Sequence, residues 1–125
     1  MAKSRIGLAL APPSTDAPHD LYLDGDGNLV MVTDARAVGQ HVRQRLMTYE
    51  KEWFLDTTAG VPWLDEIMGK RENLALAEGL MKAEILDTDG VTGISDFSPR
   101  YLRSHRELNV PRAIVSTEYE DDVSL

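Results

Sequence analysis

The side chains that could do chemistry in this 125-residue chain fall into three groups: an Asp/Asn loop, three histidines, and carboxylates beside tryptophans. Asp24-x-Asp26-x-Asn28 has the opening oxygen spacing of a calcium loop. The pattern then fails, because Leu29 stands where the turn needs glycine and Ala35 where a bidentate glutamate would close the shell. A β-hairpin turn rich in Asp and Gly explains the same residues. His19, His41 and His105 are too scattered for a ligand spacing such as H-x-x-x-H, and the absence of cysteine removes thiolate ligands and nucleophiles. His19-Asp20 echoes a metal phosphohydrolase dyad, but no second histidine pair supports it. Glu50, Glu52, Asp56 and Glu66 cluster around Trp53 and Trp63, and two carboxylates about 5–9.5 Å apart across a sugar suffice for glycoside hydrolysis. The simpler reading is an acidic surface with the tryptophans in the core. No nucleophile elbow, phosphate-binding loop or dinucleotide fingerprint is present. The expectation is no catalytic residue, no metal and no cofactor.

Charge narrows the partners. Lys and Arg total 13 against 21 Asp and Glu, a formal charge of −8. That field repels phosphate backbones, which argues against nucleic acid. Arg100, Arg103, Arg106 and Arg112 form a basic stretch ahead of Glu118, Glu120, Asp121 and Asp122. On a strand, side chains alternate, so Arg100 and Arg106 face one way with Leu102 while Arg103 and His105 face the other. Divided in this way, the run suits salt bridges to neighbouring protein subunits better than a nucleic-acid face. No apolar run approaches a membrane span, and Arg5 to Ala11 is too short for a signal core, so the expectation is a soluble chain made in the cytoplasm, with no membrane partner.

The elements that would position these residues read as α+β: two main helices packed on a mostly antiparallel sheet, with an N-terminal hairpin and a C-terminal meander. Residues 1–20 carry three prolines and no periodicity, and read as an extended arm. Residues 21–120 form the domain, and 121–125 an acidic tail. Leu21 to Leu23 and Asn28 to Val32 flank Asp24-Gly25-Asp26-Gly27 as a hairpin. Thr33 or Asp34 can cap the next helix, whose stripe is Val38, Val42, Leu46 and Tyr49. Pro62 opens a short helix through Met68 that Gly69 ends, and a longer helix runs from Asn73 to Leu86. Strands follow at Val91 to Phe97, Tyr101 to Leu108 and Ala113 to Tyr119, with a bend or edge at Pro99 and a turn at Asn109-Val110-Pro111-Arg112.

Glu52-Trp53-Phe54-Leu55-Asp56-Thr57-Thr58-Ala59-Gly60-Val61-Pro62-Trp63 is the most distinctive stretch. With Glu66-Ile67-Met68-Gly69-Lys70 and Val91-Thr92-Gly93-Ile94-Ser95-Asp96-Phe97, it resembles the baseplate wedge family of contractile-tailed phages. That family was once labelled acidic lysozyme and is better described as sheath initiators. The resemblance spans about residues 20–120. It implies a non-enzymatic virion component of the tail baseplate, six-fold in arrangement, which contacts wedge, tube and sheath proteins and templates the first sheath ring by strand addition. An equivalent component of a type VI secretion baseplate and a peptidoglycan-degrading muramidase remain the alternatives. Family members carry a Glu-Pro-Arg triplet after the second long helix. This chain has Asp87-Thr88-Asp89-Gly90 there and Ser98-Pro99-Arg100 further on, so the contacts of that triplet are not carried over.

Three functional assignments follow from the resemblance. Ala113, Val115, Thr117 and Tyr119 mark the expected strand-accepting edge, with Tyr101 to Leu108 beside it. Arg100, Arg103 and Arg106 are expected to meet acidic neighbours, and Trp53, Phe54, Val61 and Trp63 to pack a bridge between helices and sheet. On this reading, proline at Val115 leaves the domain folded but unable to nucleate sheath.

Overall fold

The computed structural model describes residues 3–11, 19–68, 73–102, 107–119 and 121–125. The fold is α+β, as the sequence pattern predicts. Helix α1 (Asp34–Met47) follows a small antiparallel ribbon of β1 (Ile6–Leu8) and β2 (Met31–Thr33). A six-residue π-helical turn (Trp63–Met68) precedes α2 (Leu74–Leu86). The chain ends in a second antiparallel sheet of β3 (Val91–Leu102), β4 (Glu107–Thr117) and β5 (Asp122–Ser124), in that spatial order.

The hairpin at the Asp/Gly turn is closed by bonds from Asp24 N–H to the Asn28 carbonyl and from Val30 N–H to the Tyr22 carbonyl. β2 itself pairs with β1 of the N-terminal segment, Gly7 opposite Val32. Residues 3–11, read as part of an arm, are thus held on the domain. Three further devices secure them. The Gln40 amide on α1 donates to the Leu8 carbonyl and accepts from the Leu10 N–H, imitating a neighbouring strand. The Arg5 guanidinium bonds Glu118 at 2.8 Å and Asp89 at 3.0 Å. The Tyr119 hydroxyl donates to the Lys3 carbonyl.

Neither expected cap of α1 acts as one. Thr33 sits at the N-cap without a side-chain bond. Asp34 takes a left-handed φ of 47° and accepts the Arg5 N–H on its carboxylate at 3.0 Å. The carboxylate is used to fasten the N-terminal segment, leaving the helix end uncapped by side chain. Tyr49 lies past the end of α1, and the helix buries Ala35, Val38, Gly39 and Val42. At α2, Asn73 is the N-cap and accepts from the Leu76 N–H.

The core centres on Val38 and Val42 of α1, Ile85 of α2 and Val115 of β4, with Leu46, Ile94, Phe97 and Val123 packed around them. Arg45 ties the two helices together, bonding Glu84 and Asp87 at 2.8 Å each.

The meander has three strands, but not the three predicted: Tyr101 to Leu108 is not one strand, since Tyr101 and Leu102 end β3 while Glu107 and Leu108 begin β4. Asn109 to Arg112, expected as a turn, is continuous strand within β4, and β3 runs through Pro99 to Leu102. Residues 103–106, between the two strands in sequence, lie outside the described residues. Pro99 and Pro111 are accommodated because they share one irregularity. Ser98 pairs with Arg112 and Arg100 with Asn109, which leaves both prolines between paired positions where no ladder donor is demanded. The expected acidic tail supplies β5, which pairs Val123 with Val115.

β5 depends on a missing side chain. A Cβ at Gly39 would lie 2.5 Å from Val123 Cγ1, so the helix approaches the strand only because that position is glycine. Gly39→Ala gains about 1 kcal/mol of helix propensity but forces an overpacking that costs roughly 1–3 kcal/mol. The expected result is a net loss of roughly 1 kcal/mol in urea unfolding, with faster hydrogen exchange at Val115 and Val123.

Candidate functional site

β4 is the central strand of its sheet, and this relocates the expected edge. β3 covers one side of β4 throughout, and β5 covers the other side from Ile114 to Ser116, with the Leu125 N–H donating to the Ala113 carbonyl. Ala113, Val115 and Thr117 are buried, and Tyr119 is half-buried against the core. Val115 is paired on both sides, with Ile94 of β3 and Val123 of β5. Val115→Pro would therefore break the centre of the sheet, and the variant is expected to unfold rather than to stay folded.

Open backbone lies elsewhere. Beyond Ala113, β5 ends, and among the described residues nothing pairs with Glu107 to Arg112 on that side. β4 thus has a half-filled lane beside it, occupied by the chain's own β5 at one end and vacant at the other. Among the described residues the outer side of β3 is also unpaired, but it is irregular. Extra residues sit on β3 between Val91 and Gly93 and between Ile94 and Asp96, and a third shift, opposite Ser98 to Arg100, puts its extra residue on β4 at Val110 and Pro111. Bulges and prolines are devices that keep edges from pairing. Arg100 is exposed on β3 opposite Asn109, and Arg112 bonds Asp96 at 2.6 Å. Arg103 and Arg106 lie outside the described residues, as does His105.

Asp122 holds β5 by its side chain. One carboxylate oxygen accepts from Ser116 and the other from Ser95, each at 2.8 Å. These two hydroxyls, Ser116 first, hold the carboxyl below its usual range.

The aromatic loop divides into two roles. Val61 is fully buried and pairs with Tyr49 in a parallel bridge, while the Trp63 indole donates to the Leu46 carbonyl at 2.8 Å. Gly60 permits this, with φ of 100° and a would-be Cβ 2.6 Å from the Thr48 carbonyl oxygen. Phe54, however, is 85% exposed and Trp53 about half exposed. Of the four residues expected to bridge helices and sheet, Val61 and Trp63 thus face inward, fastening the loop to the end of α1. The alternation rule that served the strands has no purchase on a loop, so the sequence carried no signal of which aromatics turn outward.

The carboxylates of this loop serve the loop. Glu52 accepts from the Tyr49 N–H, and Asp56 accepts from the Thr58 N–H and hydroxyl. The Thr58 hydroxyl, then its N–H, lowers the Asp56 carboxyl below its ordinary value. A glycosidase acid needs the opposite shift. The Glu66 side chain lies outside the described residues. Asp24 Oδ1 is similarly engaged by the N–H groups of Asp26 and Asn28. Among the described residues, no group of three or more His, Asp or Glu is placed to hold a metal ion. His19, His41, Trp53 and Glu84 border an open cleft of about 870 Å³ between the ribbon, α1 and the loop. The His41 imidazole is held below its ordinary value by desolvation, then by Arg45 and Arg5. The described helices include none long and apolar enough to cross a membrane.

The arrangement is that of an assembly module, with an unfilled strand position, apolar side chains turned to solvent and carboxylates committed to its own turns. The sequence profile of contractile injection system sheath initiators matches residues 14–120, and the chain belongs to that family. Membership supports a structural baseplate role, without enzymatic function, in contact with sheath and baseplate components. No curated protein matches the chain.

Two predictions follow from the site. Val61→Ala empties a fully buried position and costs about 2 kcal/mol, whereas Phe54→Ala stays within about 0.5 kcal/mol; urea unfolding of the two separates them. For Asp122 the folded value lies below the unfolded one, so its contribution is complete above the ordinary carboxylate range and is lost as pH falls through the folded value. Ser116→Ala with Ser95→Ala is expected to move the Asp122 titration upward in carboxyl NMR, and β5 to loosen at a correspondingly higher pH.

Proposed function

We propose that this chain is the baseplate protein of a contractile phage tail that joins wedge and tube and templates the first sheath ring. It does so by taking a sheath strand into the vacant part of the lane beside β4. The observation that carries this reading is the lane itself: among the described residues Glu107 to Arg112 lack a second neighbour while Ile114 to Ser116 have one. An incoming strand would abut the end of β5 and continue its line. Main-chain hydrogen bonds would supply affinity, and side chains at alternate positions would supply register.

The outer side of β3 supports the choice, because two bulges and Pro99 make it a poor template, while the lane beside β4 carries one bulge, at Val110 and Pro111. Arg100, Arg103 and Arg106 are proposed to meet acidic groups of neighbouring subunits. Ala113, Val115, Thr117 and Tyr119 act on this reading as the buried floor that fixes the lane. The assembled state is six-fold, within the virion, after synthesis in the host cytoplasm.

Single prolines at Leu108, Asn109 and Val110 test the lane. Successive N–H groups point alternately to β3 and away from it, so at least one of these prolines removes only a lane donor. That variant is expected to melt within a few degrees of wild type yet to lower sheath nucleation more than tenfold, counted by electron microscopy of reconstituted baseplates. Normal nucleation by all three variants would sink the reading.

A further inference from the structure

β5 is the shortest strand of its sheet, three residues against eleven in β4, and it stands on the most regular part of β4. Between Glu107 and Arg112, alternation turns about half of the N–H groups toward the vacant part of the lane. Pro111 has none to give, and the extra residue at Val110 and Pro111 interrupts the row. From Ala113 to Thr117 the β4 side of the pairing is unbroken, because the shifts there put their extra residues on β3. That regular row is the part β5 covers, pairing Ile114, Val115 and Ser116 with Ser124, Val123 and Asp122. A strand confined to the vacant part would leave the better template to a three-residue segment.

What holds β5 is small. Val123 is half-buried between exposed Asp122 and Ser124, and it packs into the gap at Gly39. The Asp122 carboxylate accepts the hydroxyls of Ser116 and Ser95, and the Thr117 hydroxyl donates to the Asp121 carbonyl at 2.9 Å. β5 lies at the edge in the order β3-β4-β5, so its departure leaves the β3–β4 pairing whole. The ion pair of Arg5 with Glu118, which fastens the N-terminal segment at the exit of β4, precedes β5 and stays in place.

We infer that β5 is a stand-in for the sheath strand: the incoming strand seats first on the vacant part of the lane, then advances from Ala113 toward Thr117 and displaces β5. The assignment rests on the strand addition proposed above. Each step exchanges one partner of β4 for another, so no buried amide or carbonyl is left bare on the way. The replacing strand must supply what β5 supplies. One residue carries an acceptor side chain, Asp or Asn, beside Ser95 and Ser116. Its neighbour is apolar and no bulkier than valine, because Val123 already fills the space at Gly39.

The chain has no cysteine, so an engineered pair tests the exchange without competing thiols. Ser116 and Asp122 are directly opposed, and their side chains meet at 2.8 Å, within reach of a disulfide. Oxidised Ser116→Cys with Asp122→Cys locks β5 onto β4. It is expected to lower sheath nucleation on reconstituted baseplates more than tenfold, and reduction is expected to restore it. If this pair fails to fold or to close, Ile114→Cys with Ser124→Cys, also directly opposed, is read the same way. In the unmodified chain, hydrogen exchange at Val123 and Ser124 is expected to rise more than tenfold once purified sheath protein is bound, while Ala113 to Thr117 stay protected. Asp122→Ala, which frees β5 from Ser95 and Ser116, is expected to speed nucleation severalfold. The inference is overturned if the oxidised lock nucleates sheath as well as its reduced form, if β5 keeps its protection with sheath bound, or if Asp122→Ala fails to speed nucleation. Lane prolines without effect sink strand addition itself, whereas effective prolines beside an ineffective lock sink the exchange alone.

Discussion

A helix pressed against two sheets at once must keep its flanks narrow, and α1 meets this demand with small residues. Ala35, Val38, Gly39 and Val42 are the side chains it buries, and it contacts the ribbon, α2, β4 and β5. Val123 fills the gap at Gly39, and Val38 Cγ2 would lie 2.8 Å from a Cβ at Gly90. Larger residues on α1 would hold the sheets apart, and with them the C-terminal strand and the ribbon. The position of every surface discussed above follows from how closely this helix can be approached.

What the sequence revealed depended on periodicity. The apolar stripe of α1 as far as Leu46, the extent of α2 and the Asp/Gly hairpin are local patterns, and the structure has them. The strand ends were misread because Pro99 and Pro111 each look like a break when taken alone. They are harmless only when set opposite one another, which is a non-local fact. Asp121 and Asp122 likewise advertise a solvated tail by composition. It takes Ser95, Ser116 and a glycine more than eighty residues earlier in the chain to turn that segment into a strand. The candidate site suffered most, since whether a strand is central or peripheral is decided by its neighbours.

The chemistry that remains available is that of the backbone. Asp24, Glu52 and Asp56 use their oxygens to close their own turns, and Arg5 and Arg45 join distant elements of the chain. Ion pairs of this partly exposed kind contribute modestly to stability, but they orient the parts they connect. Arg5 brings the first described residues to the turn at Asp89 and to the exit of β4. A protein arranged in this way has a rigid body, committed polar side chains and a few unsatisfied surfaces, which suits a member of the sheath initiator family.

The uneven treatment of the two flanks of the C-terminal sheet has one more consequence. The β3 flank carries two bulges, while the β4 flank is filled by β5 at one end and bends once, at Val110 and Pro111, at the other. Such an object has a front and a back, so whatever is laid against it inherits a heading. A mirror-wise placement would find no matching row of amides. A ring of identical copies would then hand the same heading to all of its lodgers, and a long contractile tube would owe its uniform pitch to a choice made once, at its base.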